Sequence, residues 1–261
     1  DLDAPIPKTA EAFPALVYAA KMTGLHFVPR PYFFRPTLLV SRVTTSIIDS
    51  DDLLRWGTFL PAGCDVYEVP GELKEKFRFR PGQQLTLKRE INGEDVRRNY
   101  SVCVAPHENE LRIAIKQIAR GAFSTWANSE LQAGHVIEVM PPHGSFTWKF
   151  EPGRKRHYAA FAGGSGITPI MSLIKTGLAE EAGSTFTLFY GNRASHTIMF
   201  LEDIAALKDR YLDRLQVFHF LEEEEEDIEL FNGRLDRAKV GEVLDRLIDA
   251  SGVDEIGRAH V

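Results

Sequence analysis

The sequence predicts a β barrel followed by an α/β domain: a six-stranded antiparallel barrel, then an incomplete doubly wound parallel sheet. Three observations predict it. From Thr37 to about residue 150, short alternating runs are broken by the turn pairs Pro70-Gly71, Pro81-Gly82 and Asn92-Gly93, the texture of an antiparallel barrel. Glu151-Pro152-Gly153-Arg154 reads as a linker. Beyond it, strands and helices alternate, as a parallel sheet requires. The expected divisions are an extension at 1–36 with no assigned role, the barrel at 37–150, the α/β domain at 154–254 and a tail at 255–261.

Taken in order, Ala10 to Met22 is a short helix candidate, and Pro29 to Pro36 is proline-broken and aromatic. Barrel strands are expected at Leu38–Thr44, Asp65–Val69, Gln84–Arg89, Val96–Val104, Leu111–Lys116 and His135–Met140, with a long loop or short helix over Ile47–Gly63. Asn92-Gly93 is the strongest hairpin signal. In the second half, strands are expected at His157–Ala162, Thr185–Tyr190 and Leu215–Leu221, with helices at Thr168–Leu178, Phe200–Arg210 and Asp236–Ile248.

Composition narrows the function. With 261 residues, 44% hydrophobic and 26% charged, the chain has enough apolar material for two cores. A net charge of -6 argues against nucleic acid as a partner. Two cysteines, Cys64 and Cys103, cannot form a disulfide framework or supply the roughly four thiolates of an iron–sulfur cluster. No metal site is expected. No apolar run approaches the ~18 residues of a membrane span. Ala15 to Ala20 is too short and lacks a basic flank for a signal peptide, so the expected compartment is the cytoplasm.

Four stretches carry chemistry. Arg98-Asn99-Tyr100-Ser101 combines a cation that can hold a phosphate, a ring that can stack on a flat cofactor and a neighbouring hydroxyl. Gly121-Ala122-Phe123-Ser124 opens a short helix over Thr125 to Asn128, a phosphate-binding arrangement, with Lys116 at the end of the strand before it. Gly163-Gly164-Ser165-Gly166-Ile167-Thr168-Pro169 joins a strand to a helix, with Thr168 as the expected N-cap. Its glycines and helix start suit a dinucleotide diphosphate. The next strand ends at Asn192-Arg193-Ala194-Ser195, where an NAD-preferring site would place an acid; Arg193 and Ser195 favour NADPH, with NADH possible. His143, in a turn at the domain seam, is read as a surface histidine or a proton relay. Glu222 to Asp227 is read as a solvated acidic loop.

In this order the motifs resemble the ferredoxin–NADP reductase superfamily over about residues 65–250. Within it, Val69 to Leu73, Phe79 to Gln83, Gly121 to Asn128, Phe189 to Arg193 and Leu230 to Asp236 are most similar to the reductase subunits of phenylacetyl-CoA epoxidase systems. The resemblance implies that Arg98 and Gly121 to Ser124 hold the pyrophosphate of FAD, that Tyr100 stacks on its ring, and that Ser101 hydrogen-bonds near the hydride-accepting nitrogen. It implies that Gly163 to Thr168 take the nicotinamide nucleotide. The implied reaction is hydride transfer from NADPH to FAD, aided by alignment more than by an acid or base. Electrons would leave singly towards an iron–sulfur centre and an oxygenase component.

The chain departs from that pattern in three places. An insertion runs over about Thr45 to Gly63, after an unexplained extension. The α/β domain is expected to stop after its third strand and a helix, without the family's Cys-Gly-Pro turn. The plant-type ferredoxin domain, with its 2Fe-2S cluster, lies outside this sequence. Ile256 to Val261 reads as non-native sequence. A truncated flavin-binding fragment without turnover, and another oxygenase or flavohaemoprotein reductase, are therefore the competing expectations.

Overall fold

A computed structural model describes residues 37–42, 77–131, 137–248 and 250–259. The helix candidate Ala10–Met22, the loop Ile47–Gly63, the strand Asp65–Val69, Cys64 and the start of the strand expected at His135 lie outside the described residues. In the barrel half, β1 (Thr37–Arg42) pairs antiparallel with β4 (Glu110–Ile115), and β2 (Gln84–Ile91) is flanked by β3 (Glu94–Ser101) and β5 (Glu138–Val139). Single bridges, Val102 to Ile113 and Gln84 to His143, stitch the two sheets and the seam turn together. Asn92 and Gly93 both have positive φ, 55° and 81°, as a two-residue hairpin turn between β2 and β3 demands. Alternation places Leu85 and Leu87 in a core with Val102, Leu111, Ile113 and Ile115. Helix α1 (Ala122–Ser129) closes that core with Phe123 and Trp126.

The second half is a parallel sheet of order β8-β7-β6-β9, formed by β6 (His157–Gly163), β7 (Thr185–Asn192), β8 (Leu215–Leu221) and β9 (Glu255–Ala259). The sequence reading ended this sheet at its third strand. Instead Glu255–Ala259 lies parallel to Tyr158–Ala162 and covers the edge beside β6. Gly257 leaves room there for Trp148, whose ring a Cβ would meet at 2.7 Å. Tyr158 to Ala162 is buried without interruption because both faces are covered, as parallel strands require. Helices α2 (Ile167–Glu180) and α3 (Leu201–Arg210) pack on one face and α4 (Arg237–Leu247) on the other. Asp236 caps α4, accepting from the Lys239 amide.

Two contacts set the halves against each other. The Ser172 hydroxyl of α2 donates to the Val104 carbonyl at 2.6 Å, and Lys175 pairs with Glu108 at 3.0 Å. The turn at Gly82 is the third point of the seam. Its φ is +89°, and a Cβ there would lie 2.1 Å from the Phe146 carbonyl oxygen. Gly82→Ala is expected to lose about 2–4 kcal/mol, from left-handed strain plus overpacking against backbone. Gly93→Ala, at φ +81° with open space around it, should lose only about 1–2 kcal/mol. Urea midpoints of the two variants check the difference.

Candidate functional site

The register of β2 and β3 sorts the first motif into two sides. Tyr100 stands opposite Leu85 and Arg98 opposite Leu87, so both side chains share the side that faces the barrel core and α1. Arg97 and Asn99 stand opposite Lys88 and Thr86 on the other side. The Tyr100 ring lies 5.6 Å from that of Phe123 and is half-buried. Burial pushes its phenol up to about 12, against the lowering effect of Arg98 nearby, so it stays neutral. Arg98 is exposed, donates to the Arg97 carbonyl at 2.7 Å and has no carboxylate partner among the described residues. Ser101 is half-buried and follows Tyr100 on the opposite side of the strand.

Gly121 precedes α1 with extended backbone at φ -80°. The Ser124 hydroxyl donates to the Gly121 carbonyl at 3.2 Å and accepts from the Ile118 amide at 3.3 Å, so it closes the loop rather than standing free. The Phe123 ring is fully buried. What Ala122, Phe123 and Ser124 present at the helix start is their amides, which have no intrahelical acceptor.

In the α/β half, Gly164 adopts φ +49° and a short 3-10 turn over Gly164–Gly166 leads into α2. Thr168 is not the N-cap expected from the sequence. Gly166 occupies that position, and the Thr168 hydroxyl, nearly buried, donates back to the Ser165 carbonyl at 3.0 Å. The helix starts earlier because the loop is held from outside. Tyr190, buried on β7, donates from its hydroxyl to the Gly164 carbonyl at 2.9 Å and accepts from the Met199 amide at 3.2 Å. Burial pushes that phenol up as well. Tyr190→Phe is expected to lose about 1–2 kcal/mol, because it leaves a buried amide and a carbonyl unpaired; thermal unfolding measures it.

The carboxyl ends of β6 and β7 carry Gly163 and Asn192, beside the point where strand order reverses between β6 and β9. Ligands of open α/β sheets bind at such a point. Asn192 is buried, and among the described residues neither polar atom of its side chain has a hydrogen-bond partner. Lys116 reaches this end from the barrel. Its ammonium lies 3.8 Å from where a Cβ of Gly164 would stand and donates to the Thr197 carbonyl at 3.4 Å. Burial, and then the charge of Arg193, hold it below the usual lysine range. A cation from the barrel thus stands at the glycine loop within electrostatic reach of a second cation from the α/β half, a setting that favours an anion. Ser195 is not free: its amide and hydroxyl donate to Glu224 Oε1 at 2.8 and 3.1 Å. The acidic run is therefore not wholly a solvated loop.

His143 lies on the Thr86 side of β2, with Nε2 3.4 Å from Gln84 Nε2 and from Thr86 Oγ1. It fastens the seam turn, away from Arg98 and Tyr100. Among the described residues no group of three or more His, Cys, Asp or Glu could hold a metal ion. Cys103 is buried, and its thiol is pushed up to about 12 by desolvation. Among the described residues no helix is long and apolar enough to cross a membrane.

The family model described as "Oxidoreductase FAD-binding domain" matches residues 66–148, and the one described as "Oxidoreductase NAD-binding domain" matches residues 161–254. The chain belongs to the ferredoxin–NADP reductase family. It is 42% identical over 189 residues to a component of the 1,2-phenylacetyl-CoA epoxidase of Escherichia coli K12, covering 72% of this chain and 53% of the relative. It is 37% identical over 160 residues to the ferredoxin reductase component of a 3-ketosteroid-9-alpha-monooxygenase from Rhodococcus rhodochrous, covering 60% of this chain and 44% of the relative. The chain spans about half the length of the curated relatives it matches. Its fold is that of a ferredoxin-NADP+ reductase from Plasmodium falciparum, at TM-score 0.66 and 15% identity over 95% of this chain and 87% of that one. This reductase family pairs a flavin-binding barrel with a parallel nucleotide-binding sheet, and both halves are present here.

Tyr190 and Glu224 were missed from sequence. Tyr190 carried no local signal, because its partners are 26 and 9 residues away. Glu224 was hidden among identical neighbours.

Proposed function

We propose that this chain is the flavin- and nucleotide-binding portion of a reductase that draws electrons from NADPH and passes them towards an iron–sulfur centre and the oxygenase component of a phenylacetyl-CoA epoxidase system. The observation that carries the reading is the approach of the barrel's Lys116 to the glycine loop of the α/β domain, with its ammonium 3.8 Å from the Cβ position of Gly164 and within electrostatic reach of Arg193. A reductase needs its two cofactor sites to converge in that way. The 42% identity to an epoxidase component from Escherichia coli supports the choice of oxygenase system.

The residues present fit both groups. Arg98, which has no carboxylate partner among the described residues, shares the side of β3 with Tyr100, whose ring meets Phe123 of α1; the arginine and the amides of Ala122, Phe123 and Ser124 would offer a flavin diphosphate a cation and a helix start. Gly121 keeps that helix start open. Tyr100 offers a half-buried neutral ring to stack on, and Ser101 a hydroxyl at the strand end. FAD, when bound, supplies the step that converts a two-electron hydride donor into single-electron output. In the other half, Gly163, Gly164, Ser165 and Gly166 let the nucleotide diphosphate approach the backbone, and Thr168 holds their turn closed. Lys116 neutralises the diphosphate from the barrel side. Asn192, whose amide has no partner among the described residues, and Arg193 receive the adenosine end. Cytoplasmic work alongside a partner oxygenase follows from this reading.

β9 pairs along β6 and covers the edge that a sheet of three strands would leave open there, beside the glycine loop. The deciding experiment is the visible spectrum of the purified chain with FAD, before and after anaerobic NADPH or NADH. Flavin bands that bleach support the reading. Bands that bind and stay coloured would mean that the nucleotide half delivers no hydride, and no bound flavin in a folded chain would refute the roles of Arg98, Tyr100 and Ser101.

A further inference from the structure

We propose that Glu224 is an internal occupant of the pocket at the adenosine ribose and sets nucleotide preference by making a 2′-phosphate compete with the chain's own carboxylate. This rests on the reading above, in which Arg193 receives that end of the nucleotide, and adds Ser195, two residues further on.

The geometry is that of a bound anion. One carboxylate oxygen of Glu224 accepts from both the amide and the hydroxyl of Ser195, at 2.8 and 3.1 Å. These are the two donors that a 2′-phosphate would use. The carboxylate is not there by chance of a long side chain, because the backbone on both sides is fastened. The Glu222 amide donates to the carbonyls of Asn192 and Arg193 at 3.0 and 3.1 Å, and the Glu223 amide to that of Arg193 at 2.8 Å. Further on, Asn232 accepts from the Glu226 amide at 2.6 Å and donates to the Glu226 carbonyl at 3.1 Å. Glu224 is thus presented by a clamped loop to the strand end that selects between nucleotides. It is also the half-buried member of a run whose other acids are exposed.

The consequence differs for the two nucleotides. A ribose diol can donate to a carboxylate and can bind with Glu224 in place. A 2′-phosphate brings like charge to the same donors and must displace it, against the clamp. Arg193 and Ser195 alone favour the phosphate; Glu224 opposes them.

The test is calorimetric titration of the 261-residue chain with adenosine 2′,5′-bisphosphate and with 5′-AMP, which needs neither flavin nor turnover. In Glu224→Gln, the preference for the bisphosphate over 5′-AMP should rise about tenfold. Glu224→Ser, which removes the carboxylate altogether, should move it the same way, with unfolding curves confirming that both variants are folded. A preference unchanged within twofold in both variants would overturn the proposal. Arg193→Ala separates the two levels. If it weakens bisphosphate binding while the Glu224 variants do nothing, the pocket stands and the role of Glu224 falls. If it also does nothing, the pocket itself is misplaced and the inference falls with it.

Discussion

Glu181→Ala is expected to destabilise the α/β half by about 3–5 kcal/mol and to lower Tm by roughly 10 °C. The carboxylate is completely buried, past the end of α2, and accepts three hydrogen bonds: from the Tyr158 hydroxyl at 2.9 Å, the Ser184 hydroxyl at 2.7 Å and the Glu151 amide at 2.8 Å. It therefore ties the interdomain linker, the first parallel strand and the turn before β7 to one point. Arg214 completes the knot, donating to the carbonyls of Leu178 and Glu181, each at 2.8 Å. Removing the carboxylate leaves three donors in an apolar surround, each with a desolvation penalty of about 1–3 kcal/mol that water can only partly relieve. Tyr158→Phe, which removes one donor and keeps the acceptor occupied, should lose about 1 kcal/mol. Urea unfolding of both variants is the check. A loss below about 1 kcal/mol for Glu181→Ala would mean that the cluster reorganises around the gap.

Arg98→Ala is expected to raise the FAD dissociation constant about ten- to a hundredfold, and Arg97→Ala to leave it within about twofold. The two arginines are neighbours in sequence and similar in exposure. Register alone separates them, since Arg98 shares the side of Leu87 and Arg97 that of Lys88. A charge-assisted hydrogen bond to a phosphate contributes about 1.5–3 kcal/mol, and every 1.4 kcal/mol is about tenfold in affinity. Flavin fluorescence titration measures both variants. Equal effects would show that the charge acts at long range rather than by contact, and would remove the side-specific role of β3.

The barrel-then-α/β architecture and the turns at Pro81-Gly82, Asn92-Gly93 and Gly163 to Gly166 were legible in the sequence, because their signals are local. Asn92-Gly93 needs only its own backbone to make the hairpin. The strand–glycine–helix succession at Gly163 to Pro169 is likewise legible without reference to the rest of the chain, and the structure places a strand, a short 3-10 turn and a helix there. Burial periodicity worked equally well at Leu85 and Leu87, where one face is covered, and along Tyr158 to Ala162, where both are.

The failures have a common physical cause. Thr168 looked like an N-cap because capping propensity is a local preference, but the hydroxyl of Tyr190, 26 residues from Gly164, fixes where the turn begins. Lys116 follows its strand as the pattern implies, but only the fold shows that its ammonium also reaches the glycine loop of the other half. Glu224 reads as one more charge in a solvated run, and nothing local marks Glu181 for burial. Composition and period describe what a residue prefers over the span of a few neighbours. Which preference wins is decided by the partner that the fold brings across tens of residues, and a hydrogen-bond donor or a cation from another element leaves no trace in the local pattern. The sequence by itself thus determined the architecture and the candidate binding loops. Long-range contacts settle that Arg98 and Tyr100 share the core-facing side of β3, what holds the glycine loop, and that a carboxylate of the chain already occupies the donors of Ser195.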